Sequence, residues 1–269
     1  MPQLRNLGPG FDPAVVDGID AKLREVAANL GVRILLAIES GSRAWGFPSP
    51  DSDYDCRFIY VRPLHDYLSL YPQRDVIEYP PDAIYDVNGW DLSKMLKLLL
   101  KGNAVAVEWL MSPSAYAGDA DFRAEALALA SQVVQPTAIA MHYLHLGERQ
   151  RKTAFADGSE VRLKKLFYVL RPALALRWMR LHPDTAIVPM AFRTLMAETD
   201  MPSDCTAIID DLLVRKAKTR EMGHGCLPGE IGALIDAEFG LARKHWPEPA
   251  TRPQPEAIRL ADAFFRRWV

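Results

Sequence analysis

Two strand-like runs separated by a tight turn, in the first quarter of the chain, constrain its fold more than any other feature. Residues 32–39 form a short apolar run rich in branched side chains, which is typical of a buried strand. Residues 53–61 begin with Asp-Tyr-Asp and continue with aromatic and β-branched side chains, which predicts a second strand. Gly41 and Ser42 end the first run, so we expect a sharp turn there and a short helix that begins near Ser42.

The Gly-Ser turn is suited to holding an anion. Glycine lets the backbone approach a ligand closely, and the free N–H groups at the start of a helix attract phosphate oxygens. Arg43 follows directly, and its guanidinium fork fits either a phosphate or a carboxylate, although a plain surface charge is an equally open interpretation. The turn therefore predicts that Gly41, Ser42 and Arg43 bind the phosphates of a nucleotide.

The two aspartates that open the second run indicate a metal site. Side chains on a strand alternate between its faces, so Asp53 and Asp55 share one face. Two neighbouring carboxylates repel each other, and one tends to stay protonated unless a cation lies nearby. Mg²⁺ takes oxygen ligands and shares its remaining positions with waters and substrate phosphates. We therefore expect Asp53 and Asp55 to be metal ligands and catalytic residues.

A site of this kind usually takes a third carboxylate from another strand, and two residues compete for that position. Asp86 lies inside a strand-like run at 84–88, whereas Asp91 directly precedes a helical pattern that begins at residue 92. An aspartate in that place is well suited to cap the helix. We favour Asp86 as the third metal-binding and catalytic carboxylate, and Asp91 as the N-cap.

Taken together, these motifs resemble those of the DNA polymerase beta superfamily of nucleotidyltransferases. More narrowly, the residues of these motifs are similar to those of the bacterial RNA-ligase-associated, or RlaP-type, group of predicted nucleotidyltransferases. The similar segments lie between residues 39 and 180, at 41–47, 51–55, 57–60, 89–92, 108–113 and 164–172.

The resemblance implies a polymerase-beta-like domain with a small mixed sheet. It implies that a nucleoside monophosphate passes from a nucleoside triphosphate to an acceptor hydroxyl with loss of pyrophosphate, and that two Mg²⁺ ions, or Mn²⁺, serve as cofactors. An RNA end is the implied acceptor, in repair or tailing, and an RNA ligase the implied functional partner. The alternatives are transfer to a protein or small molecule, and a non-catalytic role as an antitoxin or binding partner. The serine and aspartates that degenerate members lose are all present here, which disfavours the non-catalytic alternative.

The remaining pattern predicts an α+β half followed by a helical half. We expect a leading helix at 13–30, strands at 76–79 and 84–88 joined through Pro80-Pro81, and a short helix around 64–70. Later periodicity is helical, at 92–101, 104–111, 121–132, 136–154, 160–181, 203–220, 227–244 and 255–268. Strands first and helices afterwards predict a catalytic domain at 1–114 and a helical domain at 115–269 that completes the nucleotide and acceptor cleft.

Positive charge is concentrated between residues 148 and 180, where nine basic side chains stand against three acidic ones. If this segment lines the cleft, it can bind a triphosphate or an acceptor phosphodiester, and we expect Lys164 and Arg171 to bind the nucleotide. The alternative is an ordinary solvated helix face.

Composition adds an expected location. The net charge of −2 gives no global sign of nucleic-acid binding. The three cysteines, Cys56, Cys205 and Cys226, are widely spaced with no pair at metal-ligand spacing, which suits a reducing compartment. No apolar run approaches the ~20 residues needed to span a bilayer, and the N-terminal residues lack the apolar core of a signal peptide. We therefore expect a cytoplasmic protein.

Overall fold

The computed structural model describes residues 3–80, 84–155, 161–220, 222–250 and 252–269. Its centre is a five-stranded mixed sheet in the order β3-β4-β2-β1-β5. The strands are β1 Arg33–Glu39, β2 Tyr54–Val61, β3 Val76–Glu78, β4 Tyr85–Asp91 and β5 Ala115–Gly118. The α+β class expected from the sequence is confirmed, and β1 to β4 coincide with the four expected strands apart from small shifts at their ends.

The strand β2 brings the sheet together. It pairs with β1 in antiparallel fashion and with β4 in parallel, and the parallel register places Asp55 directly opposite Asp86. At the edges, β3 is antiparallel to β4 and β5 is antiparallel to β1. Pro81 lies outside the described residues, so the expected Pro80-Pro81 junction between β3 and β4 stays a prediction.

Helices account for most of the rest of the described chain. They are α1 Pro13–Leu30, α2 Gly41–Trp45, α3 Leu64–Tyr67, α4 Leu92–Leu100, α5 Ala104–Met111, α6 Ala120–Val133, α7 Pro136–Ala154, α8 Leu163–Leu181, α9 Phe192–Ala197, α10 Ser203–Lys218, α11 Gly229–His245 and α12 Pro255–Trp268. The expected helices are confirmed, although the one expected from residue 160 begins at Leu163 and residue 160 itself is not described. The sequence pattern does not predict α9, nor the small ribbon of β6 Val161–Arg162 and β7 His224–Gly225.

The helix α1 covers one face of the sheet. Asp12 caps it by accepting a hydrogen bond from the backbone N–H of Ala14 at 2.8 Å, and Pro13 opens it with its fixed φ. Its apolar stripe is buried with Ala37 and Phe58 of the sheet, and consists of Val16, Ile19, Leu23 and Val26. Leucine and isoleucine side chains of the opposite face, such as Leu36 and Ile59, belong to a second core.

This second core joins the sheet to the helical half, because it runs from β1 and β2 through α4 and α5 to α8. The helix α8 packs against α7 and α11, and most of its side chains are buried. None of the helices in the parts of the chain that the structure describes is both long and apolar enough to cross a membrane.

The domain boundary expected after residue 114 stays a prediction, and the structure has contacts that cross it. The strand β5 pairs with β1, with Ala117 opposite Ala37, so a cut after residue 114 removes an edge strand from the sheet. The last helix, α12, also returns to the first half, where it packs against α4 and α6. Arg33 at the start of β1 donates a hydrogen bond to the backbone carbonyl of Trp268. Both ends of the chain therefore contribute to the half that carries the sheet.

Candidate active site

Gly41 is pressed against the carboxylate of Asp55. It opens α2 with φ +60°, a left-handed conformation that favours glycine. A Cβ atom at this position would lie 2.1 Å from Asp55 Oδ2, so no other residue fits without moving that carboxylate. The preceding N–H, of Ser40, donates to the backbone carbonyl of Asp55 at 2.8 Å. The expected turn is present, and its backbone lies against one of the expected metal ligands.

Ser42 and Arg43 hold the loop that leads to the aspartates. The Ser42 hydroxyl is buried and donates to Ser52 Oγ at 3.0 Å. The Arg43 guanidinium donates to the carbonyls of Ser52 at 2.7 Å and Asp53 at 3.2 Å, and its Cζ lies 3.8 Å from the ring centroid of Tyr54. These contacts give both residues a structural task, and their binding of phosphate stays a prediction.

Asp55 and Asp86 form the centre of the site. Their positions are paired in the parallel register of β2 and β4, and Arg57 bridges them. The Nη2 atom of Arg57 lies 3.1 Å from Asp55 Oδ1 and 2.6 Å from Asp86 Oδ2. Asn88 donates to the other oxygen of Asp86 at 2.6 Å. The structure therefore brings the favoured third carboxylate to the second one.

Burial and negative neighbours disfavour the charged form of Asp55. Burial first, and then the charges of Asp53 and Asp86, raise the pKa of Asp55 from 3.8 to about 6 against the opposing effect of Arg57. A cation close to these carboxylates would relieve that repulsion.

Asp53 lies in front of β2 and is exposed. Among the described residues, no side chain donates a hydrogen bond to its carboxylate. Burial raises the pKa of Tyr168 on α8, and so do the charges of Asp55 and Asp53. Tyr168 is therefore near enough to these aspartates for their charges to act on it, which its helical spacing alone does not reveal.

Asp91 lies at the other end of β4 and is confirmed as the N-cap of α4. Its Oδ1 accepts from the backbone N–H of Ser93 at 2.8 Å, and its Oδ2 accepts from the Tyr67 hydroxyl at 2.8 Å. Only 2 % of the residue is exposed, and it is paired with Tyr60 rather than with Asp55. Of the two candidates for the third carboxylate, Asp86 alone adjoins the site.

Glu39 is a residue that sequence reasoning missed. It ends β1 fully buried, its Oε1 accepts from the backbone N–H of Asp55 at 3.1 Å, and its Oε2 accepts from the Tyr116 hydroxyl. Burial raises the pKa of Glu39 to about 8, although both hydrogen bonds oppose the shift. A glutamate at the end of an apolar run reads as a strand boundary in sequence, so only the pairing of β1 with β2 reveals its place behind the site.

On the helical side, Lys164 faces the loop that carries the aspartates. Its Nζ lies 3.0 Å from Asp51 Oδ2, and both side chains are about one-third exposed. Lys164 also lines a cavity of about 490 Å³. The other described side chains around this cavity are mostly basic or polar, and they are Gln150, Arg162, Lys165, Tyr168 and His224. This part of the basic segment lines a cavity, and its binding of the nucleotide stays a prediction.

Arg171 is buried and forms an ion pair with Glu108. Its guanidinium is 2 % exposed, donates to Glu108 Oε1 at 2.6 Å, and donates to the carbonyl of Met190 at 3.1 Å. Tyr143 donates to the same glutamate oxygen at 2.8 Å. Because a buried charge needs a partner and Arg171 has one in Glu108, these contacts give it a structural task in the helical half, and its binding of the nucleotide stays a prediction. Arg177 and Arg180 likewise pair with the buried Glu238.

The three aspartates supply the hard oxygen donors that Mg²⁺ and Mn²⁺ prefer. Within the described ranges, no group of three or more acidic, histidine or cysteine side chains is gathered closely enough to hold a metal ion as it stands. In this cluster the guanidinium of Arg57 already lies between Asp55 and Asp86. The types of donor suit a divalent ion, and a metal site at these aspartates stays a prediction.

Known proteins are similar to this chain in sequence. The sequence profile of the RlaP family, described as an RNA repair pathway DNA polymerase beta family, matches residues 15–267. The chain is also similar to the uncharacterized protein YcgL of Bacillus subtilis (strain 168), with 43 % identity over 219 residues. That alignment covers 81 % of this chain and 83 % of the relative.

Proposed function

This chain belongs to the RNA repair pathway DNA polymerase beta family, and on that premise we propose that it is a metal-dependent nucleotidyltransferase acting on RNA ends. It transfers a nucleoside monophosphate from a nucleoside triphosphate to an acceptor hydroxyl and releases pyrophosphate. The observation that carries the proposal is the pairing of Asp55 with Asp86 across β2 and β4, with Gly41 against Asp55 and the charge of Asp53 acting on Asp55.

Several residues around the aspartates would bind the triphosphate. Gly41 leaves room for the Asp55 carboxylate to lie against the turn, and the backbone N–H groups of the turn would meet the phosphates. Lys164 carries the charge best placed to meet the triphosphate, since it is partly exposed and its present partner, Asp51, is a surface carboxylate. Tyr168 on α8 lines the same cavity as Lys164, near the aspartates. Binding in this cleft positions the triphosphate, which is the main requirement for phosphoryl and nucleotidyl transfer.

Asp53, Asp55 and Asp86 would hold Mg²⁺ or Mn²⁺, which when bound neutralises the phosphates and supports in-line displacement at the α-phosphorus. Asp86 accepts the proton of the attacking hydroxyl. Asn88 and Arg57 hold the Asp86 carboxylate, so that its direction is set before the acceptor arrives. Glu39 and Gly41 fix the backbone and the side-chain space of Asp55.

The test is incorporation of an α-labelled nucleotide into an RNA oligomer, with each of the four triphosphates and with Mg²⁺ or Mn²⁺. We expect label on RNA, lost in Asp55→Asn and in Asp86→Asn. Asp75→Asn is the matched control, because Asp75 is a partly exposed acid of the same half that pairs with Lys94 instead. Full activity of Asp86→Asn would refute the site. Label on protein would move the acceptor to a protein, and triphosphate binding without transfer to any acceptor would favour a binding role.

A further inference from the structure

Arg57 is the positive charge built into the carboxylate cluster. It follows Asp55 by two residues on β2, so both side chains lie on the same face of the sheet. Its Nη2 atom is shared between Asp55 Oδ1 at 3.1 Å and Asp86 Oδ2 at 2.6 Å. One guanidinium nitrogen therefore joins carboxylates that come from two different strands.

The position of Arg57 does not depend on the carboxylates alone. Its Nη1 atom donates to the backbone carbonyls of Asp86 at 2.7 Å and of Cys56 at 3.2 Å. The side chain is 17 % exposed. Since β2 and β4 fix both carbonyls, the backbone of the sheet itself holds the guanidinium beside the cluster.

The charges around Arg57 are not balanced. The guanidinium of Arg57 pairs with two carboxylates, those of Asp55 and Asp86, the charge of Asp53 also acts on Asp55, and Asn88 adds only a neutral donor at Asp86. A cluster of this composition is stabilised by further positive charge, which a divalent ion would supply. Any such ion that uses the Asp55 and Asp86 oxygens now bonded to Arg57 must displace its hydrogen bonds.

We propose that Arg57 is a positioning residue that substitutes for a divalent ion, holding Asp55 and Asp86 together while no metal is bound and competing with the metal that binds. This inference rests on the proposed function, since it takes these aspartates to be metal ligands. It goes beyond that function by assigning a separate role to a residue that need not touch either substrate.

Competition has a consequence that an ordinary structural role does not share. Removal of Arg57 leaves the carboxylates to repel one another, so the metal-free protein loses stability. The same removal frees carboxylate oxygens and deletes a neighbouring positive charge, so the affinity for a divalent ion rises. If Arg57 were merely structural, its removal would lower stability and leave the metal affinity unchanged or weaker.

The experiment compares wild type with Arg57→Met and Arg57→Lys, and it does not require turnover. Mn²⁺ affinity is measured from the electron paramagnetic resonance signal of the free ion, and thermal unfolding is followed with and without Mn²⁺ at constant ionic strength. We expect Arg57→Met to bind Mn²⁺ at least about tenfold more tightly, a change equivalent to about 1.4 kcal/mol. The melting temperature of Arg57→Met should be lower than that of wild type without metal, and the difference should be smaller with Mn²⁺. The Mn²⁺ affinity and the melting temperature of Arg57→Lys should lie between those of wild type and Arg57→Met.

Asn88→Ala is the matched control, because it removes a hydrogen bond to the same Asp86 without removing charge. Equal or weaker Mn²⁺ binding by both Arg57 variants, with a stability deficit that Mn²⁺ does not change, would overturn the inference while leaving the proposed function intact. An equal gain of affinity in Asn88→Ala would also overturn it. Should Arg57→Met fail to fold, the charge-retaining Arg57→Lys still tests the prediction through its Mn²⁺ affinity. Mn²⁺ binding that survives Asp55→Asn unchanged would instead count against the metal site of the proposed function.

Discussion

The buried carboxyl group of Glu39 accepts a hydrogen bond from the backbone N–H of Asp55 at 3.1 Å. Its second oxygen accepts from the Tyr116 hydroxyl on β5, so one side chain connects three neighbouring strands of the sheet behind the candidate active site. Burial raises the pKa of Glu39 from 4.5 to about 8, which means that the folded protein favours the protonated acid near neutral pH.

Glu39→Gln should therefore remove part of the pH dependence of folding. The wild-type contribution is fully present below the unfolded pKa near 4.5 and is lost as pH rises through the folded pKa of about 8. Gln imitates the protonated acid at every pH. From pH 5 to pH 8.5, the free energy of unfolding of Glu39→Gln should rise relative to wild type by more than about 1.4 kcal/mol, the equivalent of one pKa unit. Urea unfolding at both pH values measures this, and parallel pH profiles would contradict it.

Asp55→Asn should stabilise the metal-free protein while it abolishes transfer. Burial raises the pKa of Asp55 to about 6, so ionisation of Asp55 lowers stability as pH rises from 3.8 through 6. At pH 7.5 the variant avoids that cost, and we expect it to gain about 1 kcal/mol in urea unfolding without divalent ions. Asp53→Asn is the comparison, since Asp53 is exposed and its change should alter stability by less than about 0.5 kcal/mol. A loss of stability in Asp55→Asn would show that its bond to Arg57 outweighs the repulsion.

Gly41→Ala should damage catalysis more than folding. The new Cβ would lie 2.1 Å from Asp55 Oδ2, so the carboxylate must move. A displacement of a catalytic group by about 1 Å can reduce turnover about 100-fold. Gly46→Ala is a matched control, because Gly46 also has a positive φ, +87°, but its Cβ would meet nothing within 4 Å. Both variants should lose about 1–2 kcal/mol of stability from the left-handed backbone, and turnover of α-labelled nucleotide should fall sharply only in Gly41→Ala. Equal turnover in the two variants would show that Gly41 is not part of the active site.

Local chemistry explains what the sequence could predict. The Gly41 turn depends on its own backbone, and the capping of α4 by Asp91 depends on a hydrogen bond to a residue two positions away. The preference for Asp86 was supported by the strand-like run around it, and the register of β2 with β4 places it opposite Asp55. These features need only short-range patterns or the alternation of side chains along a strand.

Long-range pairing explains what the sequence could not predict. Arg57 reads as one more alternating residue of a strand until β4 lies beside it. Arg171 belongs to a segment rich in positive charge, but its partner Glu108 is 63 residues away. The strand β5 has four residues and becomes recognisable only through its pairing with β1. In each case the deciding contact joins parts of the chain whose proximity is a result of folding.

Arg171→Leu should unfold more easily because it leaves Glu108 as an unpaired charge in the core. Breaking a buried ion pair on one side costs about 3–5 kcal/mol. The double variant Arg171→Leu with Glu108→Leu removes both charges and should recover part of that loss, although Tyr143 then loses the acceptor of its hydroxyl. Urea unfolding of the two single variants and the double variant measures the coupling. Unchanged stability in Arg171→Leu, with weaker binding of triphosphate, would support the nucleotide-binding role predicted from the sequence.

Lys164→Ala should show the opposite behaviour, with little effect on stability and a clear effect on the nucleotide. Its bond to Asp51 at 3.0 Å is about one-third exposed, and such surface pairs contribute only about 0–1 kcal/mol. A bond from Lys164 to a phosphate in the cleft would be worth about 1.4 kcal/mol or more, so the KM for the triphosphate should rise about tenfold. Lys94→Ala is the matched control, because Lys94 on α4 makes a comparable ion pair with Asp75 at 3.1 Å. If the two variants have the same KM, Lys164 does not contact the triphosphate, and the cavity beside it must serve another part of the substrates.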